Sequence, residues 1–532
     1  MNKKDHEQNP GNQENAQISK SQGLGDRTSR DSEFCGSIPL NFLNLIQPHG
    51  MLILLNQSYK IVQISENVST SLGQALEEII DKPFASLFAN NGFEAFQQKI
   101  ERQKLNNNIP HILHLETSEG LQRFAGVIHF HEEYLLVELE LIEDETTDIT
   151  FISAYQEIKY IMATLQQAKD LAEFGAMAAN EIKSFSGFDR VMLYQFDLQW
   201  NGTVIAEAQN GDLEPYLNLK FPASDVPKQA RELYFKNPYR LIPDVNFEPV
   251  RLFPIVNPLI NGFTDISDCI LRSVPQVHVE YLKNMNVQAS MSTPIIVDGK
   301  LWGLISCHHT TPKHVPFELR YSFEVLSELI SSQLASRERE ERLNYFSSRR
   351  TLELKLLELI HKHKEFDHEV LMESDILLKL FRAGGAALFW GNQYEGLGKI
   401  PSKEQAQELI KWLRLFNKEK MFITSSLSDH VRTAITYKEV GSGLLAIQFS
   451  HSPQGYLLLF RPEIVQTVNW GGNPNEAIRF EEDGKRYHPR NSFKKWQEKV
   501  EFTAQPWEEE LIEVAKNLRT VLLEKVLMDL QE

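Results

Sequence analysis

Residues 290–309 read SMSTPIIVDGKLWGLISCHH, two apolar runs joined by Asp298-Gly299. An Asp-Gly pair between apolar runs is a strong hairpin signal, because a tight two-residue turn needs positive φ at both central positions. Side chains two apart in a strand share a face, which puts Ser290 and Ser292 together. A plain two-residue hairpin sets these serines opposite Cys307 and Ile305, on the other face from His308. A bulge or a wider loop must shift the register if all three are to meet one ligand.

Working outward, RVMLYQF (190–196) and GTVIAEA (202–208) read as strands. They follow a helical period over 151–190, with Ile158, Ile161, Leu165, Leu171 and Phe174 on one face. This predicts an α+β domain over 151–332. Upstream, GMLILL, KIVQIS, HILHLET, RFAGVIHFH and YLLVELELI alternate with helical stretches through LEEII and FASLF, a second α+β domain over 34–147. From Phe317 to about Phe366 the chain lacks proline and carries Leu352, Leu356, Leu359 and Ile360. It reads as a long helix, whose stretch 333–366 forms a spine linking domains and pairing with its copy in a homodimer. Parallel and antiparallel pairing both stay open. A third domain over 367–510 has strands at GGAALFW, GLLAIQF and GYLLLFR, and an amphipathic output helix occupies 511–532. The fold class is α+β, three tandem domains joined by long helices.

The 532 residues exceed what one hydrophobic core serves, and about three to four domains are expected. Residues 1–33 are a polar arm without enough apolar surface to fold alone. A net charge of −17 argues against binding a phosphate backbone, so no nucleic-acid partner is expected. The cysteines are Cys35, Cys269 and Cys307, without C-x-x-C spacing, which supports neither a disulfide framework nor a metal site and points to the reducing cytoplasm. There is no secretory signal pattern and no run near the roughly 18 apolar residues of a membrane span. Nucleotide-binding kinase boxes, cyclase motifs, Walker loops and nucleophile–base pairs are missing, so no enzyme is expected within this sequence.

Four motifs stand in order: Cys35 with IQPHG (46–50); FPASDVPKQARELY (221–234); LRSVPQVHVEYLKNM (271–285) leading to LWGLISCHH (301–309); and WGGNP (470–474) with PRNSF (489–493). Together, over about 35–530, they resemble the photosensory module of phytochromes, the bacteriophytochrome branch in particular. The resemblance implies PAS, GAF and PHY domains, the last a GAF-like fold with a protruding tongue hairpin at about 466–495. It also implies a red/far-red photoreceptor that binds biliverdin, a linear tetrapyrrole, and switches by Z/E isomerisation at the C15 bridge. Val277 stands where related branches carry an attachment cysteine, so the implied thioether falls to Cys35.

The same resemblance places Arg240 and Arg272 on the two propionates, a role suited to the guanidinium fork, with Ser290, Ser292 and Tyr234 as neutral helpers. Buried pyrrole N–H groups need acceptors, implied to be the main-chain carbonyl of Asp225 and the ring of His278. His308 reaches the D-ring carbonyl, and Tyr194, Phe221 and Tyr281 enclose that ring. In the tongue, which Trp470 opens, Arg490 pairs with Asp225 until Asp225 exchanges it for Ser492, tipping the arm between strand and helix. The effector is either a further part of a longer receptor or a separate partner, and the resting state is either red- or far-red-absorbing. The competing reading is a tandem GAF sensor of a cyclic-nucleotide-type small molecule, which leaves Cys35 and PRNSF without a use.

Overall fold

The computed structural model describes residues 42–89, 91–103, 110–142, 151–362, 371–372, 375–391, 393–417, 419–476, 478–480 and 487–529. Cys35 lies outside these residues, as does Asp483-Gly484, a pair whose sequence favours a turn within the expected tongue hairpin. The chain forms two compact units: residues 1–337 with 469–496, and 338–468 with 497–532.

In the first unit, the leading domain is built on strands β2 (Met51–Asn56), β3 (Ile61–Ser65), β4 (His111–Thr117), β5 (Gly120–Phe130) and β6 (Tyr134–Leu141), in the antiparallel order β3-β2-β6-β5-β4. Short helices containing Val68, Leu72, Ile79 and Phe84 close its inner face. The sheet continues through β11 (Val250–Phe253), which pairs with both β3 and β1 (Leu45–Ile46). Thus a strand from the second domain is built into the first. The junction is held by Gln47, whose amide donates to Leu271 O at 2.8 Å and whose side chain donates to Leu241 O at 3.0 Å. Glu138 accepts from the amides of Ile270 and Leu271 at 3.1 and 2.6 Å.

The second domain has the order β10 (Arg240–Ile242), β12 (Ala289–Val297), β13 (Lys300–His309), β7 (Arg190–Phe196), β8 (Gly202–Gln209), β9 (Lys220–Phe221). Arm strand β19 (Gln466–Gly471) extends it by the parallel pairing of Trp470 with Lys220. Val191, Leu193, Met291, Ile305 and Cys307 point to one face and pack on the helices Phe151–Leu165, Leu171–Ser186 and the start of Phe317–Lys362. The 46-residue helix begins within this domain, where Leu319, Phe323, Leu326, Ile330 and Leu334 complete the core.

The plain hairpin register does not hold. Val297 pairs with Lys300 and Ile296 with Leu301, but Ile295 faces Gly303, leaving Trp302 as an extra residue. Beyond that bulge Ser292 faces Ser306 and Ser290 faces His308. Both serines and His308 therefore share the face away from the helices.

In the second unit a sheet of order β15 (Gln393–Gly398), β14 (Gly385–Trp390), β18 (Gln454–Arg461), β17 (Gly443–His451), β16 (Met421–Thr424) carries helix Lys403–Phe416 on one side. The other side receives Leu356 and Ile360 of the long helix, and Leu511, Ala515, Leu518, Leu522 and Val526 of helix Glu509–Asp529. The third domain's core thus extends past the expected limit at 510, because that helix buries its apolar stripe on the sheet. Among the described residues no helix is long and apolar enough to cross a membrane.

Candidate functional site

The sheet face away from the helices is polar at one end and aromatic at the other. Arg240 stands opposite Ser292 across β10–β12, and His308 opposite Arg190 across β13–β7. Tyr234, just past helix Lys228–Leu233, shares a 2.7 Å hydrogen bond with Ser292. Opposite this face lie the short helical turn Ala223–Asp225 and helix Gln276–Asn284, which carries His278 and Tyr281 on neighbouring turns. Their rings stack at 5.9 Å.

Between these elements is a half-open cleft lined by Asp225, Tyr234, Arg240, Arg272, His278 and Tyr281 among others, with Ile478 and Pro489 contributed by the arm. Arg240 donates to the carbonyls of Ile270 (3.0 Å) and Ser273 (2.9 Å), and Arg272 to that of Ser267 (2.8 Å). Among the described residues neither guanidinium forms an ion pair with a carboxylate. Burial, and then the charge of Arg272, bring Arg240 down to about 9; burial also lowers Arg272. His278 is pushed down to about 4 by burial and by Arg240. Its ring is neutral at neutral pH, and so able to accept a hydrogen bond.

His308 lines a second cavity, together with Arg190 and Ser492. Burial takes His308 down to about 3, and its Nδ1 is buried without a hydrogen-bond partner among the described residues. Tyr194 and Phe221 are buried side by side, ring centroids 6.0 Å apart, in a cluster with Tyr216 and Phe493.

Asp225 turns its carboxylate to the arm. It accepts two hydrogen bonds from Arg490 and one from the Tyr281 hydroxyl at 2.7 Å. Burial pushes the Asp225 carboxyl up, and Arg490 and Tyr281 oppose it. Ser492 forms no hydrogen bond with Asp225 in this arrangement; its hydroxyl accepts from the Lys494 amide at 3.4 Å. Trp470 lies beneath the Lys220 ammonium, 5.7 Å from its ring centroid.

Sequence reasoning assigned no role to three neighbours. Phe493 stands edge-on to Tyr281 at 4.9 Å, although it belongs to the PRNSF motif. Ser306 lies 3.3 Å from His308 Nε2, and its i, i+2 spacing from His308 was the available signal. His488, one residue before that motif, meets Glu280 at 2.9 Å.

Comparison with known proteins follows the same division. Residues 35–142 match the PAS fold, 170–337 the GAF domain and 349–531 the phytochrome region. Cyanobacterial phytochrome B of Nostoc sp. is 35% identical over 504 residues, covering 94% of this chain and 67% of that protein. Phytochrome-like protein Cph1 of Synechocystis sp. is 37% identical, covering 96% and 68%. The solved bacteriophytochrome RpBphP3 from R. palustris superimposes with a TM-score of 0.80 at 32% identity, covering 93% of this chain and 99% of that one.

Proposed function

The chain belongs to the phytochrome family, and from that premise we propose that it is a red/far-red photoreceptor that binds biliverdin covalently through Cys35. The observation that carries this reading is the pair Arg240 and Arg272, two cations on one cavity that donate to main-chain carbonyls and, among the described residues, form no ion pair with a carboxylate. A ligand bringing two carboxylates into a largely apolar cleft supplies the missing charge. The unpartnered Nδ1 of His308 fits the same ligand's polar end.

Biliverdin, when bound, supplies absorption of red light and the C15 double bond about which its terminal ring turns. The protein's residues do the rest. Arg240 and Arg272 anchor the carboxylates, helped by Tyr234, Ser290 and Ser292. The Asp225 carbonyl and the His278 ring accept hydrogen bonds from the pyrrole nitrogens. His308 hydrogen-bonds the terminal ring, while Tyr194, Phe221 and Tyr281 wall it in. Asp225 exchanges Arg490 for Ser492, and the arm from Trp470 onward changes between strand and helix, two forms separated by a few kcal/mol. The long helix passes the change to an effector from a cytoplasmic homodimer.

Protein incubated with biliverdin is expected to become coloured and to change absorption reversibly under red and far-red light. After denaturation the wild type keeps its pigment, and Cys35→Ala releases it. A colourless wild type overturns the pigment assignment; release from the denatured wild type overturns the thioether.

A further inference from the structure

Phe221 is seated on a residue of the arm. A Cβ built on Gly471 stands 2.5 Å from Phe221 Cε1 and 2.6 Å from Cζ, closer than real Cβ atoms come to any neighbour. The preceding residue, Trp470, pairs with Lys220, which brings the two backbones alongside each other at this point. Gly471 does not have a left-handed backbone. Glycine is needed here for the ring and not for the chain's path. Tyr194 rests on Gly202 in the same way, where an added Cβ falls 1.7 Å from the ring. Gly202, however, belongs to β8 of the same domain, whereas Gly471 is carried by the arm.

We propose that Gly471 is a positioning residue, whose contact with Phe221 is an uncharged steric coupling between arm and pocket wall, separate from the Asp225–Arg490 pair. A docked arm fixes the Phe221 ring, and an arm that leaves removes the floor beneath it. By reciprocity, a displacement of Phe221 lifts the arm. The docking half stands on geometry alone; the photochemical half rests on the pigment reading above.

The test is Gly471→Ala, alone and in a Phe221→Ala background, read first as the rate of proteolytic cleavage of the arm in pigment-free protein. The added methyl forces ring or arm aside, so cleavage rises about ten-fold, equivalent to about 1.4 kcal/mol. The rise disappears when the ring is absent. In pigment-loaded protein, Gly471→Ala shifts thermal relaxation toward the arm-released form by a similar factor. An unchanged cleavage rate in Gly471→Ala, or an equal rise with and without the Phe221 ring, overturns the proposal. Phe221→Leu serves as the background where Phe221→Ala does not fold. A wild type without photochemistry sinks the pigment reading and leaves the cleavage comparison valid.

Discussion

Arg490 clamps Asp225 with two hydrogen bonds, 3.0 and 2.5 Å long, across 265 residues of sequence. Both side chains are almost wholly buried, at 3% and 6% exposure. The pair is therefore a docking contact for the arm and not a surface ornament, since two desolvated charges are tolerated only while each has the other. Arg490→Ala leaves Asp225 with the Tyr281 hydroxyl alone and weakens arm docking by about 3–5 kcal/mol. Hydrogen exchange over 487–493 is expected to accelerate strongly. Arg490→Lys recovers only part of the protection, because an ammonium cannot reproduce the bidentate fork.

His49, His278 and His308 are pushed down by burial to about 4, 4 and 3. Their folded values lie below the unfolded value near 6.5, so the stability they contribute is complete above pH 6.5 and is lost as pH falls toward 4. Together they impose a slope of about 4 kcal/mol per pH unit on pigment-free protein. Glu324, raised to about 7 by burial and by Glu328, opposes part of it. Urea unfolding between about pH 6.5 and 5 should show the slope reduced by the equivalent of one proton in His278→Gln. An unaltered slope would mean that this imidazole is already protonated in the native state.

Arg240→Ala and Arg272→Ala each remove one charge-assisted anchor. Biliverdin affinity should fall by about 2 kcal/mol, roughly 30-fold, in either variant. An ester of the pigment, lacking the carboxylates, should bind wild type and variants alike. Equal loss of affinity for the ester would place the effect in the fold and not in charge recognition.

Arg320 donates to both oxygens of Glu140, at 2.7 and 2.6 Å, tying the start of the long helix to β6 of the leading domain. Arg320 is 1% exposed. Glu140→Ala strands that cation and should cost about 3–5 kcal/mol in denaturant unfolding. The double replacement Glu140→Leu with Arg320→Met should recover most of it, since apolar partners of similar volume need no counter-charge.

Much of this architecture is legible in local pattern. The apolar runs become strands, and Asp298-Gly299 turns the hairpin with Asp298 at φ 48° and Gly299 at φ 75°. The need for a register shift was also legible, but its place was not. It falls at Trp302, next to Gly303, whose missing Cβ would otherwise lie 2.2 Å from the Tyr194 carbonyl oxygen. That close approach depends on a neighbouring strand, which no hairpin pattern records. The entry of Val250–Phe253 into the first sheet was invisible for a similar reason, since Leu252 pairs with Ser65 and nothing local signals so distant a partner. The amphipathic stripe of the last helix was plain, yet periodicity does not name the surface it buries. At the site, the motifs pointed to both Asp225 and Arg490, while the Tyr281 hydroxyl on the same carboxylate had no local signal.

Trp302 also decides which chemistry the sheet offers to a ligand. Without that single insertion the run from Gly303 to His309 would turn over, bringing Cys307 and Ile305 beside Ser290 and Ser292 and sending His308 into the helical core. A sulfur nucleophile would then stand where an imidazole now does. An odd or even residue count in one strand thus decides whether this wall presents an imidazole or a thiol.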